Sequence, residues 1–506
     1  MDNSSVILCI LDGWGISPDS SGNAITQANP ETYNYLVQNY PFSQLLASGA
    51  AVGLPEGQDG NSETGHLNIG AGRVVFQDLS LINMAIADGS FFTNPALFDT
   101  VKHLNSFQSD LHLIGMIGNS GVHSYMDHLY ALLMFARKHS LQNVYLHLFT
   151  DGRDSPPDDA LNQIKQLKEQ IIKFGVGNIS SIIGRYYSMD RDQRLDRTKK
   201  AYQCLVDDIA KNEVDAETLL KGSYQKGIFD EFIEPTSIGN DTKKSRIKAG
   251  DAIIFFNFRT DRPRQLTEMF LHSGIPNLRF VTMTKYRKDF QNPVMFTTMS
   301  LNNTLGEVIS ENNINQIRAA ETEKIAMVTY YFNGQIEQPF PGESHLFVDS
   351  PKVTTYDLAP RMSSDKLVDD FCQKFSGDNF RLAIINIACP DMVAHTGKID
   401  KTIEAIKAAD DAIKKLVNLA KETSSYLIVT ADHGNAEELV SLKTGGIDTE
   451  HSSNPVPIII YHPTDTDFKM QPGKLGDIAP TILNLLNIPI PSEMNGKDLI
   501  LRSNGN

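Results

Sequence analysis

Short apolar runs of strand length recur along the chain at 6–11, 111–117, 144–149, 180–183, 252–256, 280–283, 382–387 and 426–430, separated by longer stretches of helical character. Strands alternating with helices predict a parallel sheet in an α/β fold. Most of the runs end on polar residues able to do chemistry: Asp12 after the first, Asp151 to Asp154 after the third, Arg185 after the fourth, Arg259 after the fifth, Asp391 after the seventh and Asp432 after the last. Ligands of open α/β sheets bind beyond the carboxyl ends of the strands, so this placement is that of an active site. Polar loops explain any one of the six, and explain all six together poorly.

The polar residues also sort by position. Asp and His of metal-binding type lie toward the two ends of the chain, whereas the middle carries Arg153, Arg185, Arg191, Arg259 and Arg262. An inserted middle domain produces such an order, with crossings near 75–80 and 300–315, and 506 residues are too many for one typical domain. The expected division is 1–76 and 309–506 for the metal-binding domain and 77–308 for the insertion. The net charge of −15 argues against nucleic acid or an anionic membrane as partner, so an anionic substrate must be held by local arginines. Four cysteines without CxxC spacing suit a reducing compartment, and no apolar run approaches 18 residues, so a cytoplasmic protein is expected. Residues 502–506 read as a frayed tail.

Within 59–73, DGNSETGHLNIGAGR, Ser62 stands among glycines and small polar residues, a composition expected of a tight exposed loop. Such a serine is most often a cap or turn residue; nearby metal ligands are what make it a candidate nucleophile. In DMVAH, Asp391 and His395 are one helical turn apart and could chelate one cation, or form an ordinary polar pair. Asp432 and His433 end the last strand and point to opposite sides, able to serve two neighbouring ions, while His451 sits in a loop held by Pro455 and Pro457. Asp, His and a serine oxygen suit Mn²⁺ or Zn²⁺ better than Ca²⁺. TDGRDSPP joins Arg153 and Asp154 in one turn, either an anion grip with a proton carrier or a turn closed by its own salt bridge. Arg259 and Arg262 are expected three apart on the first turn of a helix, and Lys324 precedes a strand-like run as a site cation or an edge-strand lysine.

The blocks LDGWG, GQDGNSETGHLNIGAGR, GVHSYMDHL, TDGRDSPP, GRYYSMDRD, FFNFRTDRPRQ, ETEKIAMVTYYFNG, PDMVAHTG, ADHGNAE and HSSNPVP, in this order, closely resemble the cofactor-independent phosphoglycerate mutases of the alkaline phosphatase superfamily. The resemblance implies an alkaline-phosphatase-like metal-binding domain with an inserted second α/β domain. It implies two Mn²⁺ ions, one on Asp12, Ser62, Asp432 and His433 and one on Asp391, His395 and His451, with Ser62 transiently phosphorylated. His123, Arg153, Asp154, Arg185 and Arg191 would bind glycerate, with Arg259, Arg262 and Lys324 around the phosphate and Asp154 as base and acid. The expected protein is a monomer that interconverts 3-phosphoglycerate and 2-phosphoglycerate without 2,3-bisphosphoglycerate. A phosphohydrolase or phosphopentomutase with the same metal core would not need the glycerate set, and an inactive scaffold would have lost a ligand. Cys389 and Pro390 stand where Asn-Ala is usual, which puts a thiol beside Asp391.

Overall fold

The computed structural model describes residues 4–18, 22–207, 211–240, 243–297, 301–441 and 444–502. Residues 503–506 of the expected tail lie outside them. The chain forms two compact units, one from Met1–Gln77 with Ser300–Asn506 and the other from Asp78–Met299.

In the first unit the sheet runs in the order Glu343–Val348, Gln316–Glu321, Leu382–Ile387, Val6–Leu11, Tyr426–Thr430, Val456–Tyr461, Phe42–Leu46 and Gly473–Lys474. The first five strands are mutually parallel, and Val456–Tyr461 turns the sheet antiparallel on both of its sides. The sheet is therefore mixed, where the apolar runs had predicted parallel pairing alone. Val6–Leu11 reads VILCIL because it lies between two parallel strands with both of its faces covered, and every residue in it is buried. The Ile399–Thr423 helix buries Ala405, Ile406, Ala409, Ala412, Ile413, Leu416 and Ala420, a three-and-four spacing that presents one face to the core. Leu305, Val308 and Ile309, on the Leu305–Glu311 helix, pack in the same core.

The second unit has its own sheet, in the order Lys211–Glu213, Thr236–Ile238, Asn178–Gly184, Val144–Thr150, Leu111–Met116, Ala252–Phe255 and Arg279–Thr282. Its strands are parallel except where Asn178–Gly184 meets Thr236–Ile238. All eight apolar runs are strands, within two residues at each end. Among those the pattern did not show are Gln316–Glu321, whose buried Arg318 breaks the apolar run, and Val456–Tyr461, which contains Pro457.

Candidate active site

In the first unit, four neighbouring parallel strands deliver one functional side chain each beyond their carboxyl ends: Lys324, Asp391, Asp12 and Asp432. Ser62 reaches the same place from the start of the Ser62–Ala71 helix. It is buried, not in the exposed loop its neighbours predicted. The glycines and small polar residues that read as a loop instead let this helix pack closely, and Asn61 caps it by accepting the Thr64 N–H at 2.9 Å. Gly13, at φ +70°, explains the tight turn after Asp12: a Cβ there would lie 2.8 Å from Asp391 Cβ.

The donors converge as two groups that share His433: Asp12, Asp432 and His433, and Asp391, His433 and His451. His395 Nε2 lies 3.3 Å from Asp391 Oδ1 and 3.1 Å from His451 Nε2. The tautomers follow from the outer partners. His395 Nδ1 faces Thr449 O at 2.8 Å and His451 Nδ1 faces Gly60 O at 2.9 Å, so both Nδ1 carry the proton. With Nδ1 committed outward, the two Nε2 atoms converge on each other and on the Asp391 carboxylate, an arrangement that a cation between them stabilises. In the other group, His433 Nε2 is 2.9 Å from Ser62 Oγ, 3.4 Å from Asp12 Oδ1 and 3.5 Å from Asp432 Oδ2. That Asp432 oxygen is buried and accepts no hydrogen bond. The residues present therefore fit two divalent ions with mixed O and N ligands.

Lys324 lies among these ligands. It ends a short 3₁₀ turn, Thr322–Lys324, and the strand-like run after it is the π-helix Met327–Tyr331. Val328 and Phe332, both buried and four apart, show the helical face that the β-branched and aromatic residues concealed. The Lys324 ammonium spends its three protons on Asp12 Oδ1 at 2.7 Å, Ser62 Oγ at 2.8 Å and Asp391 Oδ2 at 2.8 Å. Burial would lower its pKa, but the carboxylates of Asp12, Asp391 and Asp432 outweigh it and hold the amine above its ordinary value. Burial acts the same way on His433, yet Asp432 and Asp12 push it up to about 10. Burial would also raise Asp391, but Lys324 and the facing histidines keep it well below the usual carboxylate range.

Two residues that motif reasoning overlooked hold the carboxylates, and a third, His66, ties them to the Ser62 backbone. Asn386 donates to Asp12 Oδ2 at 2.7 Å, and Asn435 to Asp391 Oδ1 at 2.8 Å. His66, fully buried, has Nδ1 2.9 Å from Ser62 O and 3.2 Å from Asp432 Oδ2, and Nε2 3.0 Å from the Asn386 amide. A lone asparagine inside the apolar run LAIINI was the one sequence signal for this layer. Cys389 is buried, with Sγ 3.3 Å from Ser364 Oγ and 3.4 Å from Ala405 O. Burial pushes its thiol up to about 12, so it stays protonated beside Asp391.

The second unit carries the other set, again beyond strand ends. Arg185 is buried, pairs with Asp151, reaches Asp154 Oδ2 at 2.5 Å and places NH2 3.1 Å from His123 Nε2. Asp151 shapes the TDGRD turn by accepting the N–H groups of Arg153 at 3.3 Å and Asp154 at 3.2 Å. The turn is not closed by an Arg153–Asp154 bridge, since Arg153 sits 3.9 Å from Glu231. Asp261 gathers Arg191 at 3.0 Å and Arg259 at 3.2 Å. Arg259 and Arg262 precede their helix instead of opening it: it begins at Arg264, because a residue before proline avoids the α region and Pro263 follows Arg262. Arg153, Arg185, Arg191 and Arg262 line a cavity of about 110 Å³. Burial and the Arg185 guanidinium push His123 down to about 4, so it is neutral at pH 7. Burial would raise Asp154, but Arg185, His123 and Arg262 hold it below the ordinary carboxylate value, ionised and able to take a proton.

A family model described as the Metalloenzyme superfamily matches residues 4–490. The chain is 44% identical over 510 residues to a 2,3-bisphosphoglycerate-independent phosphoglycerate mutase of Moorella thermoacetica, covering 99% of each chain. It is also 44% identical to the protein of that name from Clostridium beijerinckii, over 99% of this chain and 100% of that one. Among solved structures, it is similar to Leishmania mexicana phosphoglycerate mutase at low cobalt concentration, with a TM-score of 0.60 and 27% identity over 99% of this chain and 98% of the other.

Proposed function

The chain belongs to the 2,3-bisphosphoglycerate-independent phosphoglycerate mutases of the metalloenzyme superfamily, and we propose that it interconverts 3-phosphoglycerate and 2-phosphoglycerate by lending the phosphoryl group to Ser62. The observation that carries this reading is the Ser62 hydroxyl itself. Its oxygen accepts from the Lys324 ammonium at 2.8 Å while its proton is directed at Asp12 Oδ1, 3.2 Å away. A protonated lysine held on that oxygen favours the negative charge it gathers as it attacks phosphorus.

Asp12, Ser62, Asp432 and His433 would hold one divalent cation and Asp391, His395 and His451 the other, with Mn²⁺ the ion we assign. When bound, such ions lower the pKa of the serine hydroxyl and offset charge on the transferring group. The other half of the task falls to the second unit, which we read as the glycerate-binding domain. Arg153, Arg185 and Arg191 would grip the glycerate carboxylate, Arg259 and Arg262 the phosphate, and neutral His123 a hydroxyl. The proton Ser62 gives up as it attacks would offset the one the departing glycerate oxygen takes up by way of Asp154, and Asp154, ionised again beside Arg185, would then take the proton of the hydroxyl that attacks the phosphoserine, offsetting the one Ser62 Oγ takes back as it leaves. Ser62 then regains its hydroxyl, so no bisphosphorylated cofactor is consumed.

We read the protein as a monomer. Among the described residues no helix is long and apolar enough to cross a membrane, and the free thiols of Cys9, Cys204, Cys372 and Cys389 support our reading of a reducing, cytoplasmic setting. The test is a mutase assay on metal-stripped protein with Mn²⁺, Mg²⁺, Zn²⁺ or Co²⁺ restored singly, beside Ser62→Ala. Activity should return with Mn²⁺ and be absent in the variant with its circular dichroism unchanged. Substantial turnover by Ser62→Ala would refute the phosphoserine route.

A further inference from the structure

Glu437 is 1% exposed and has no part in the site as assigned so far, yet its carboxylate ties its own loop to two others. Oε2 takes the backbone N–H groups of Gly15 and Asn435, each at 2.9 Å. Oε1 takes the Ser452 hydroxyl and, at 3.0 Å, the Asn454 amide. An ionised carboxylate offers only acceptors, so four converging donors are what it needs. The approach is close enough that glycine is required on two of the loops: a Cβ on Gly15 or on Gly434 would collide with the Glu437 carboxylate. Each loop also carries metal donors. Asp12 lies three residues before Gly15, Asp432 and His433 lie within three of Asn435, and His451 immediately precedes Ser452.

We propose that Glu437 is a positioning residue that clamps the three ligand-bearing loops into one geometry, so that one buried carboxylate sets the affinity of both metal sites. This rests on the two-ion reading above. The two oxygens have different duties. Oε2 fixes the loops of Asp12 and of Asp432 with His433 through backbone donors that no side-chain change can remove. Oε1 fixes the His451 loop through two side chains that can be removed. A glutamine could keep its oxygen toward the two N–H groups and turn its amide toward Ser452 and Asn454, so it should loosen only the His451 loop.

The experiment is Mn²⁺ titration calorimetry on metal-stripped full-length protein, with thermal melting in parallel and His451→Ala as the reference for loss of the second ion. Ser452→Ala/Asn454→Ala and Glu437→Gln should each weaken the His451-side ion tenfold or more and leave the other within about twofold. Glu437→Ala should weaken both. A merely structural glutamate would lower the melting temperature and leave the affinities of the folded protein unchanged, and that result overturns the clamp. Equal loss at both ions in the double variant also overturns it, and this variant keeps the carboxylate, so it decides the matter should Glu437→Ala not fold. Wild-type protein binding fewer than two Mn²⁺ per chain would overturn the two-ion reading and the clamp with it, whereas two ions bound with unaltered variants would overturn the clamp alone.

Discussion

Replacing Arg191 by alanine should turn part of the mutase flux into phosphatase flux. The proposed cycle leaves glycerate beside a phosphoserine, and the outcome depends on whether glycerate receives the phosphoryl group before it escapes and water takes its place. Arg191 can be removed cleanly. Its side chain is 49% exposed and its ion pair with Asp261 is at 3.0 Å, so its loss should cost the fold no more than about 1 kcal/mol. Arg153, 55% exposed and 3.9 Å from Glu231, is equally separable. Arg185 is not, since removing it strands the buried Asp151 carboxylate at a cost of about 3–5 kcal/mol. A hydrogen bond to a charged group contributes about 1.5–3 kcal/mol, so losing one arginine from a carboxylate should speed glycerate escape roughly 10- to 100-fold. The assay follows free phosphate and mutase product together in Arg191→Ala, Arg153→Ala and Arg259→Ala, the last assigned to the phosphate. The first two should lose mutase activity by orders of magnitude while the share of turnovers ending in free phosphate rises, and Arg259→Ala should lower both fluxes together. Proportional loss in all three variants would refute retention of glycerate by these arginines.

Wild-type activity should need no added 2,3-bisphosphoglycerate, and an absolute requirement for it in a steady-state assay would contradict the serine acceptor. Because His433 is pushed up to about 10 in the metal-free site, it holds a proton at neutral pH that a cation must displace. Apparent Mn²⁺ affinity should thus rise about tenfold per pH unit through the neutral range; calorimetry in buffers of different ionisation enthalpy should show at least about one proton released near pH 7.5, and none released would count against the assignment. Gly13→Ala forces a left-handed residue to carry a Cβ against Asp391, so it should destabilise the protein by about 1–2 kcal/mol and weaken metal binding, where an unchanged melting curve would show the turn relaxes freely.

The alternation of apolar runs was enough to find eight strands, to predict an α/β fold and to put Asp12, Arg185, Asp391 and Asp432 beyond strand ends, because burial on both faces leaves a continuous apolar signature in the chain itself. The ordered motif blocks carried the family. Local pattern failed where small or polar residues are buried. Ser62 reads as a loop residue and starts a buried helix; the run after Lys324 reads as a strand and is a π-helix. Asn386 is marked only by its place in an apolar run, and His66 and Glu437 carry no local sign of the groups they meet. Their roles are set by partners far away in the chain, such as the Gly15 N–H that Glu437 accepts across 422 positions. A buried polar group is stable only when its hydrogen bonds are met, and which groups meet them is decided by the order of strands in the sheet, not by the residues on either side.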